Sequence, residues 1–274
     1  MNNKNVLITG YEGFIGNALL NEINNSFINS FDELFLFEKK DIDKDFIWIS
    51  HLKKLVEKAN IIIHIGAESS TQNSNFNYVM FQNFYFSKIL FDLVGESETK
   101  VIYSSSASCY GTNGLPSTIY GWSKYLAEQY GYVKIKNFYA LRYFNVYGPG
   151  ENKKGKMASV ANQAMNSNIR PFKLFPGKPE RDFVYIDDVV SANLFPIFNE
   201  IKSGVYDVGS GQKNSFEKVL DLLEIEYEYY ENSLIPDNYQ FHTLASKDKF
   251  MTNWSPKYNL EQGIKAYKEL YDFK

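Results

Sequence analysis

Tyr120 and Lys124 stand four residues apart in Tyr120-Gly121-Trp122-Ser123-Lys124, the spacing that places two side chains on one face of a helix. A phenol titrates near ~10 and is a weak base at neutral pH, so an adjacent ammonium that stabilises the phenolate makes it usable. A third group of related chemistry precedes them. The apolar run Val101-Ile102-Tyr103 ends in Ser104-Ser105-Ser106, and a hydroxyl there can share a substrate's reacting oxygen with the phenol. The trio points to proton transfer at an oxygen atom.

A separate pattern lies near the N-terminus. Val6-Leu7-Ile8-Thr9 runs into Gly10-Tyr11-Glu12-Gly13-Phe14-Ile15-Gly16, after which Ala18, Leu19 and Ile23 continue a helical spacing. Glycine lets the main chain approach an anion with no Cβ in the way, and the helix that follows offers N–H groups and the positive end of its dipole. Strand, glycine turn and helix in this order form a cradle for the pyrophosphate of a dinucleotide. Gly10, Gly13, Phe14, Ile15 and Gly16 are its candidate residues. Glu38, about 20 residues further on, is placed for a ribose hydroxyl, which favours NAD; Lys39 and Lys40 beside it could instead accept the 2′-phosphate of NADP. The residues leave NADP and NAD both open.

The elements that must position these groups can be read from apolar periodicity. Leu34-Phe35-Leu36-Phe37, Ile61-Ile62-Ile63-His64-Ile65, Val101-Ile102-Tyr103 and Phe138 to Tyr143 read as strands of a sheet buried on both faces. Phe46-Ile47-Trp48-Ile49 reads as a further strand and Leu52 to Ala59 as a short helix. Longer helical patterns cover Tyr78 to Val94 and Tyr120 to Tyr130. The alternation predicts an α/β protein with a Rossmann-type, doubly wound parallel sheet and right-handed crossovers. Beyond Pro149 glycine, lysine and proline cluster at 148–155 and 171–179, as in a smaller C-terminal lobe that binds substrate. The expected division is 1–147 with 182–210 for the dinucleotide, and 148–181 with 211–274 for the substrate.

Composition excludes other classes. The net charge of −3 is dispersed, which gives no footprint for nucleic acid. One cysteine, Cys109, permits no internal disulfide and fits a reducing compartment, and with three histidines it makes no zinc set. The first strand begins near Val6, leaving no room for a signal peptide, and no apolar run approaches the ~20 residues of a membrane span. A cytoplasmic protein is expected, with no metal, no nucleic acid and no membrane as partner. The 22 phenylalanines and 21 tyrosines read as core and subunit interface. His64 reads as a satisfied core residue and Cys109 as a small buried side chain.

Glycine turn, serine-ended strand and tyrosine–lysine helix, in this order, resemble the extended short-chain dehydrogenase/reductase family, whose members act on nucleotide sugars. The C-terminal half resembles one branch of it, the nucleotide-heptose 6-epimerases. The segments that carry this are Leu141-Arg142-Tyr143-Phe144-Asn145-Val146-Tyr147-Gly148-Pro149, Lys154-Gly155-Lys156-Met157-Ala158-Ser159-Val160, Lys173-Leu174-Phe175, Arg181-Asp182-Phe183-Val184-Tyr185 and Asn238-Tyr239-Gln240. The resemblance implies that Ser106 is the serine in play, Tyr120 the acid/base and Lys124 its partner. It implies Lys154 as a second acid/base on the opposite face of the reacting carbon. Gly66, Ala67, Asn83 and Val146 would join Tyr120 and Lys124 against the cofactor; Ser70, Asn145, Lys156, Gln163, Phe175, Gly177, Arg181 and Tyr239 would touch substrate. Arginine's fork suits a diphosphate, so Arg181, with Lys156 and Lys178, is placed for it. The implied reaction inverts C6 of an NDP-glycero-manno-heptose, ADP-linked in the family, with a resident NADP or NAD that is reduced and reoxidised in each turnover. The setting would be bacterial surface-polysaccharide synthesis and the assembly a homo-oligomer. Another nucleotide-sugar 4-epimerase, dehydratase or ketoreductase is the neighbouring reading, and a non-catalytic dinucleotide sensor the remote one. The chain departs from the family in shorter loops between Gly111 and Tyr120 and after Glu38. Lys156 and Gln163 stand where the family has serine and histidine.

Overall fold

A computed structural model of the chain describes residues 4–42, 46–230 and 240–272. The elements run β1 (Asn5–Thr9), α1 (Phe14–Glu22), β2 (Glu33–Phe37), α2 (Ile47–Lys58), β3 (Ile61–His64), α3 (Phe76–Met80), α4 (Phe86–Val94), β4 (Lys100–Ser106), α5 (Ile119–Lys134) and β5 (Asn137–Tyr143). They continue with β6 (Asn145–Tyr147), α6 (Val160–Asn166), β7 (Phe172–Leu174), β8 (Glu180–Tyr185), α7 (Ile186–Phe198), β9 (Gly204–Val208), β10 (Lys213–Ser215), α8 (Phe216–Leu223), β11 (Tyr227–Tyr229) and α9 (Leu260–Asp272).

The chain divides into two compact units, Met1–Arg142 with Val190–Tyr206, and Tyr143–Val189 with Asp207–Lys274. Residues 143–147, 182–189 and 207–210, grouped by sequence with the first part, fall in the second unit, where β6 and β8 pair with each other.

The first unit is built on a six-stranded sheet in the order β2-β1-β3-β4-β5-β9. The pairings of β1 with β2, β1 with β3 and β3 with β4 are parallel. The chain moves outward from β1 to β2 and then crosses back to β3, so the order reverses beside β1. In open α/β sheets that reversal, at the carboxyl ends of the strands, is where ligands bind. Thr9 and His64, the last residues of β1 and β3, lie opposite each other there.

One expectation fails. Residues 46–49 are not a strand; helix α2 begins at Ile47 and runs unbroken to Lys58. Trp48, Leu52 and Val56 are the residues it buries, four apart, whereas Phe46 and Ile47 are exposed. The apolar quartet mimics a strand, but the period that continues beyond it is helical. Trp48 stacks on Phe86 at 5.7 Å between centroids and joins a core of Leu7, Ile62 and Val101 from the sheet with Leu90, Phe91 and Val94 of α4. With no strand there, β2 ends the sheet among the described residues.

The helical stretch expected from Tyr78 to Val94 is present, with a π-helical turn, Phe81–Tyr85, between α3 and α4. A π turn inside a helix marks a place where a side chain is re-aimed, often at a functional site. Its buried residue is Asn83.

The second unit holds a three-stranded sheet, β10-β8-β6, and a two-stranded one, β11-β7. Buried Asp182 ties it together. It accepts from the Ser210 amide and hydroxyl, the Gly211 amide and the Ala245 amide. Among the described residues no helix is long and apolar enough to cross a membrane.

Candidate active site

The glycine turn shows what each glycine is for. Gly10 has φ +75°, and a Cβ there would fall 2.3 Å from the backbone of Gly66; a Cβ at Gly16 would fall 2.1 Å from the Gly10 carbonyl oxygen. Both are required by the fold, which presses the turn against the end of β3. Gly13 is different. Its φ of −72° suits any residue, and a Cβ there would meet only the Gly10 oxygen at an ordinary 3.5 Å. Neither packing nor backbone explains the missing side chain at Gly13, whereas a phosphate seated against the main chain does. Gly13 is also the N-cap of α1, and no side chain caps that helix end or adds an acid to its first turn, which suits an anion. The turn therefore fits a dinucleotide.

Gly13→Ala is accordingly expected to leave the stability of the ligand-free protein within about 0.5 kcal/mol of its parent while lowering NAD affinity at least about tenfold. Fluorescence titration with NADH measures the second quantity and thermal melting the first. Gly16→Ala should instead damage both.

Glu38 follows β2 and accepts hydrogen bonds from the backbone N–H of Lys39 and, across the turn, of Glu12, each at 3.0 Å. Lys40 pairs with the Glu12 carboxylate, and the Lys39 ammonium donates to the Tyr78 hydroxyl at 2.5 Å. The lysines that sequence placed beside a 2′-phosphate are thus engaged with an acid and a phenol.

At the heart of the unit, Ser106 lies close enough to half-buried Tyr120 to favour its phenolate. Ser106 ends β4, and Tyr120 lies in the first turn of α5, capped by the Thr118 hydroxyl, which accepts from the Gly121 amide. Lys124 is 3% exposed, its ammonium 4.7 Å from the centre of the Tyr103 ring. The expectation that the ammonium draws the phenol down is not met in the protein alone. Burial lifts Tyr120 from 10.0 to about 12, against the smaller opposing influence of Ser106. Burial also brings Lys124 down from 10.5 to about 8, although Cys109 and Glu128 act against it. Desolvation disfavours both charged forms, and it outweighs their spacing.

Behind the trio runs a buried polar chain with its protons in one order. The Ser87 hydroxyl donates to the Asn83 carbonyl at 2.5 Å, so toward His64 it must accept; Nε2 of His64 donates to it at 2.8 Å. Nδ1 then accepts from the Thr9 hydroxyl at 2.6 Å. Burial, and to a lesser degree Lys124, lowers His64 to about 3, so this neutral form persists at any working pH. The Asn83 amide donates to the Glu68 carbonyl and the Ser123 hydroxyl, its oxygen accepts from the Glu68 amide, and Ser123 donates to the Tyr120 carbonyl. The end of β1, the loop after β3 and helix α5 are thereby joined. Ser70, in that loop, donates its amide to the Glu68 carboxylate, and Ala67 beside it is exposed.

A second buried cluster was not foreseen. Glu128, with no exposed surface, takes a bidentate pair from Arg142 at 2.6 and 2.9 Å and a third bond from the Ser105 hydroxyl. It braces α5 against the ends of β4 and β5. Burial and Glu128 together push the Cys109 thiol up, leaving it an inert core group. A sequence signal existed: Tyr120, Lys124 and Glu128 recur every fourth residue, so a carboxylate shares the helix face of the pair.

The other residues singled out by sequence lie in the second unit. Val146 pairs with Val184 in the sheet, and the Asn145 side chain accepts from the Thr243 hydroxyl. Arg181 is buried, donates to the carbonyls of Glu180 and Phe241, and lies over the Phe216 ring. Lys156 and Gln163 are exposed, and the Gln163 amide donates to the carbonyls of Lys156 and Ala158. Phe175 follows β7, and Gly177 and Lys178 both turn the chain with positive φ. Lys154 pairs with Glu151 at 3.3 Å. Tyr239 lies outside the described residues.

Residues 6–209 match the model of the Epimerase family, the NAD dependent epimerase/dehydratase family. This chain belongs to it. It is 32% identical to ADP-L-glycero-D-manno-heptose-6-epimerase of Brachyspira hyodysenteriae over 97% of its own length and 98% of the relative's. It is 29% identical to the enzyme of the same name from Fusobacterium nucleatum, over 97% of each chain. Among solved structures, Helicobacter pylori ADP-L-glycero-D-manno-heptose-6-epimerase superposes with a TM-score of 0.83 at 28% identity, covering 98% of this chain and 96% of that one. Thermus thermophilus UDP-glucose 4-epimerase in complex with NAD shares the fold, with a TM-score of 0.79 at 21% identity over 98% and 99% of the two chains. An NAD-dependent epimerase is what the family membership and these relatives support.

Proposed function

We propose that this chain inverts C6 of an ADP-linked glycero-manno-heptose by oxidising and re-reducing it on a bound dinucleotide. The observation that carries the reading is the placing of Tyr120 and Lys124 on one helix, α5, with Ser106 at the end of β4 close enough to act on the phenol, in a chain similar over 97% of its length to a heptose epimerase. The first unit holds the dinucleotide, with Gly10, Gly13, Phe14, Ile15 and Gly16 at the pyrophosphate, Glu38 at the adenosine ribose, and Gly66, Ala67, Asn83 and Lys124 lining its path. The second unit supplies the contacts to the nucleotide sugar, Arg181 among them. A dinucleotide held by these residues would supply reversible hydride transfer at C6. Tyr120 exchanges a proton with O6 while Ser106 holds that oxygen by its hydroxyl. Lys124 orients the nicotinamide ribose and favours the phenolate. Inversion needs a proton partner on the other side of the carbon, and that role falls to Lys154. Re-delivery to the opposite face leaves C6 inverted with no net redox change. The buried single cysteine fits the cytoplasm, and a homo-oligomer fits the aromatic surface.

Incubation with ADP- and GDP-linked D-glycero-D-manno-heptose without added reductant, followed by NMR at C6, tests this. Inversion of the ADP sugar is expected, with no deuterium entering C6 from D2O because the hydride never leaves the site. Inversion of neither sugar, or stoichiometric consumption of added NADH, would overturn the reading in favour of a ketoreductase.

A further inference from the structure

The second unit contains a fully buried carboxylate that the scheme above does not use. Glu151 has no exposed surface. Four donors surround it. Oε1 accepts from the Gly148 amide at 3.0 Å and the Ser159 hydroxyl at 2.7 Å; Oε2 accepts from the Ser159 amide at 2.7 Å and the Lys154 ammonium at 3.3 Å. A buried carboxylate is tolerated when its lone pairs are bonded and a countercharge is present. The neutral donors supply the first condition and Lys154 the second.

The backbone is shaped for this meeting. The 3-10 segment Glu151–Met157 is broken at Gly155, where φ is +54° and ψ −126°. A Cβ on Gly155 would meet nothing within 4 Å, so glycine is there for the turn and not for space. The turn brings Ser159 back to Glu151, and Ser159 in the same position caps α6 by accepting from the Asn162 amide at 3.2 Å. Glu151 therefore ties the root of Lys154 to the start of a helix on one side and to Gly148 on the other. Lys154 itself keeps 23% of its side-chain surface accessible. A lysine side chain left to itself samples many rotamers. The bond to an immobile carboxylate removes most of that freedom.

We infer that Glu151 is a positioning residue for Lys154, holding its ammonium in the one orientation from which it exchanges a proton with the substrate oxygen. The inference rests on the reading of Lys154 as the second acid/base. Its consequence is an effect on turnover and not on binding, expressed only through Lys154.

The test is a double-mutant cycle in the full-length enzyme, with inversion of the ADP-heptose followed by NMR. Lys154→Ala is expected to lower kcat about 10²–10³-fold. Glu151→Gln should lower kcat about 10–100-fold with KM for the nucleotide sugar and affinity for NAD within about twofold, and should cost almost nothing further once Lys154 is alanine. Ser159→Ala, which removes a bond to Glu151 without touching Lys154, should keep kcat within about threefold. Should Glu151→Gln not fold, Glu151→Asp, whose carboxylate falls a methylene short of Lys154, enters the same cycle. Losses that add, or a Ser159→Ala enzyme as slow as Glu151→Gln, overturn the inference while the two-base reading stands. A fully active Lys154→Ala overturns both.

Discussion

Lys124→Met should make the ligand-free protein more stable and the enzyme nearly inactive. Lys124 is 3% exposed, and burial brings its ammonium from 10.5 down to about 8. At about 1.4 kcal/mol per pKa unit, keeping it charged in the folded protein costs about 3 kcal/mol. Methionine matches the stem in length and needs no hydration, so a gain of about 1–3 kcal/mol is expected at pH 7. Turnover should fall about 10²–10⁴-fold on the proposed scheme, in which Lys124 favours the phenolate and seats the ribose once the dinucleotide is bound. The pH dependence separates this explanation from a packing effect. A lysine whose folded pKa lies below its unfolded value burdens the fold fully below pH 8, and the burden lifts as pH rises from 8 toward 10.5. Over that window the parent should gain stability relative to Lys124→Met. Denaturant melts at pH 7 and pH 10 measure the difference. A variant less stable than its parent at pH 7 would show that the ammonium is not strained in the ligand-free fold.

That strain explains why some of the site was legible in the sequence and some was not. Gly10, Gly13 and Gly16, the serine-ended strand and the tyrosine–lysine pair were readable because each is a local pattern set by a single element. Their electrostatics were not. Spacing alone gave Lys124 the power to lower Tyr120, but titration depends on desolvation by residues far apart in sequence, and burial raises the phenol to about 12. The polar chain from Thr9 through His64 to Asn83 joins three separate segments. His64 alone could be read as a satisfied core residue, but its partners could not be named. Glu128 and Glu151 went unnoticed for different reasons. Glu128 lies on the same helix face as Lys124, and its buried pairing depends on Arg142 in a neighbouring strand. Glu151 precedes a basic run, where an acid reads as ordinary surface charge until the turn at Gly155 folds Ser159 over it.

The misread segment makes the same point for the fold. Phe46-Ile47-Trp48-Ile49 has strand composition, and nothing within four residues contradicts a strand. Only the continuation through Leu52 and Val56 onto the Phe86 face decides for a helix. The carboxyl ends of β1 and β3, where the order of strands reverses, do not depend on that segment. The helix at residues 47–58 thus changes the strand count without moving the point where the strand order reverses.

Tyr120→Phe is the complementary experiment, since it should cost turnover without moving stability. Phenylalanine keeps the ring in its place on α5 and removes only the hydroxyl beside Ser106. A neutral hydrogen bond contributes about 1 kcal/mol net, and the deleted hydroxyl no longer needs solvation, so melting should shift by less than about 1 kcal/mol. NAD affinity should be unchanged, because Gly13 and Lys124 are untouched. Inversion should fall about 10²–10⁴-fold, the range expected for losing a positioned acid/base. The pH profile adds the decisive sign. Tyr120 must be deprotonated to take a proton, and burial raises its titration to about 12 in the protein alone. Parent kcat should therefore rise with pH across the neutral and alkaline range, with its midpoint brought down by the positive charge of the bound nicotinamide. The residual activity of Tyr120→Phe should lose that limb. If the limb persisted in the variant, the titrating base would be another group, and the Tyr120–Ser106 pair would be a structural contact at the end of β4.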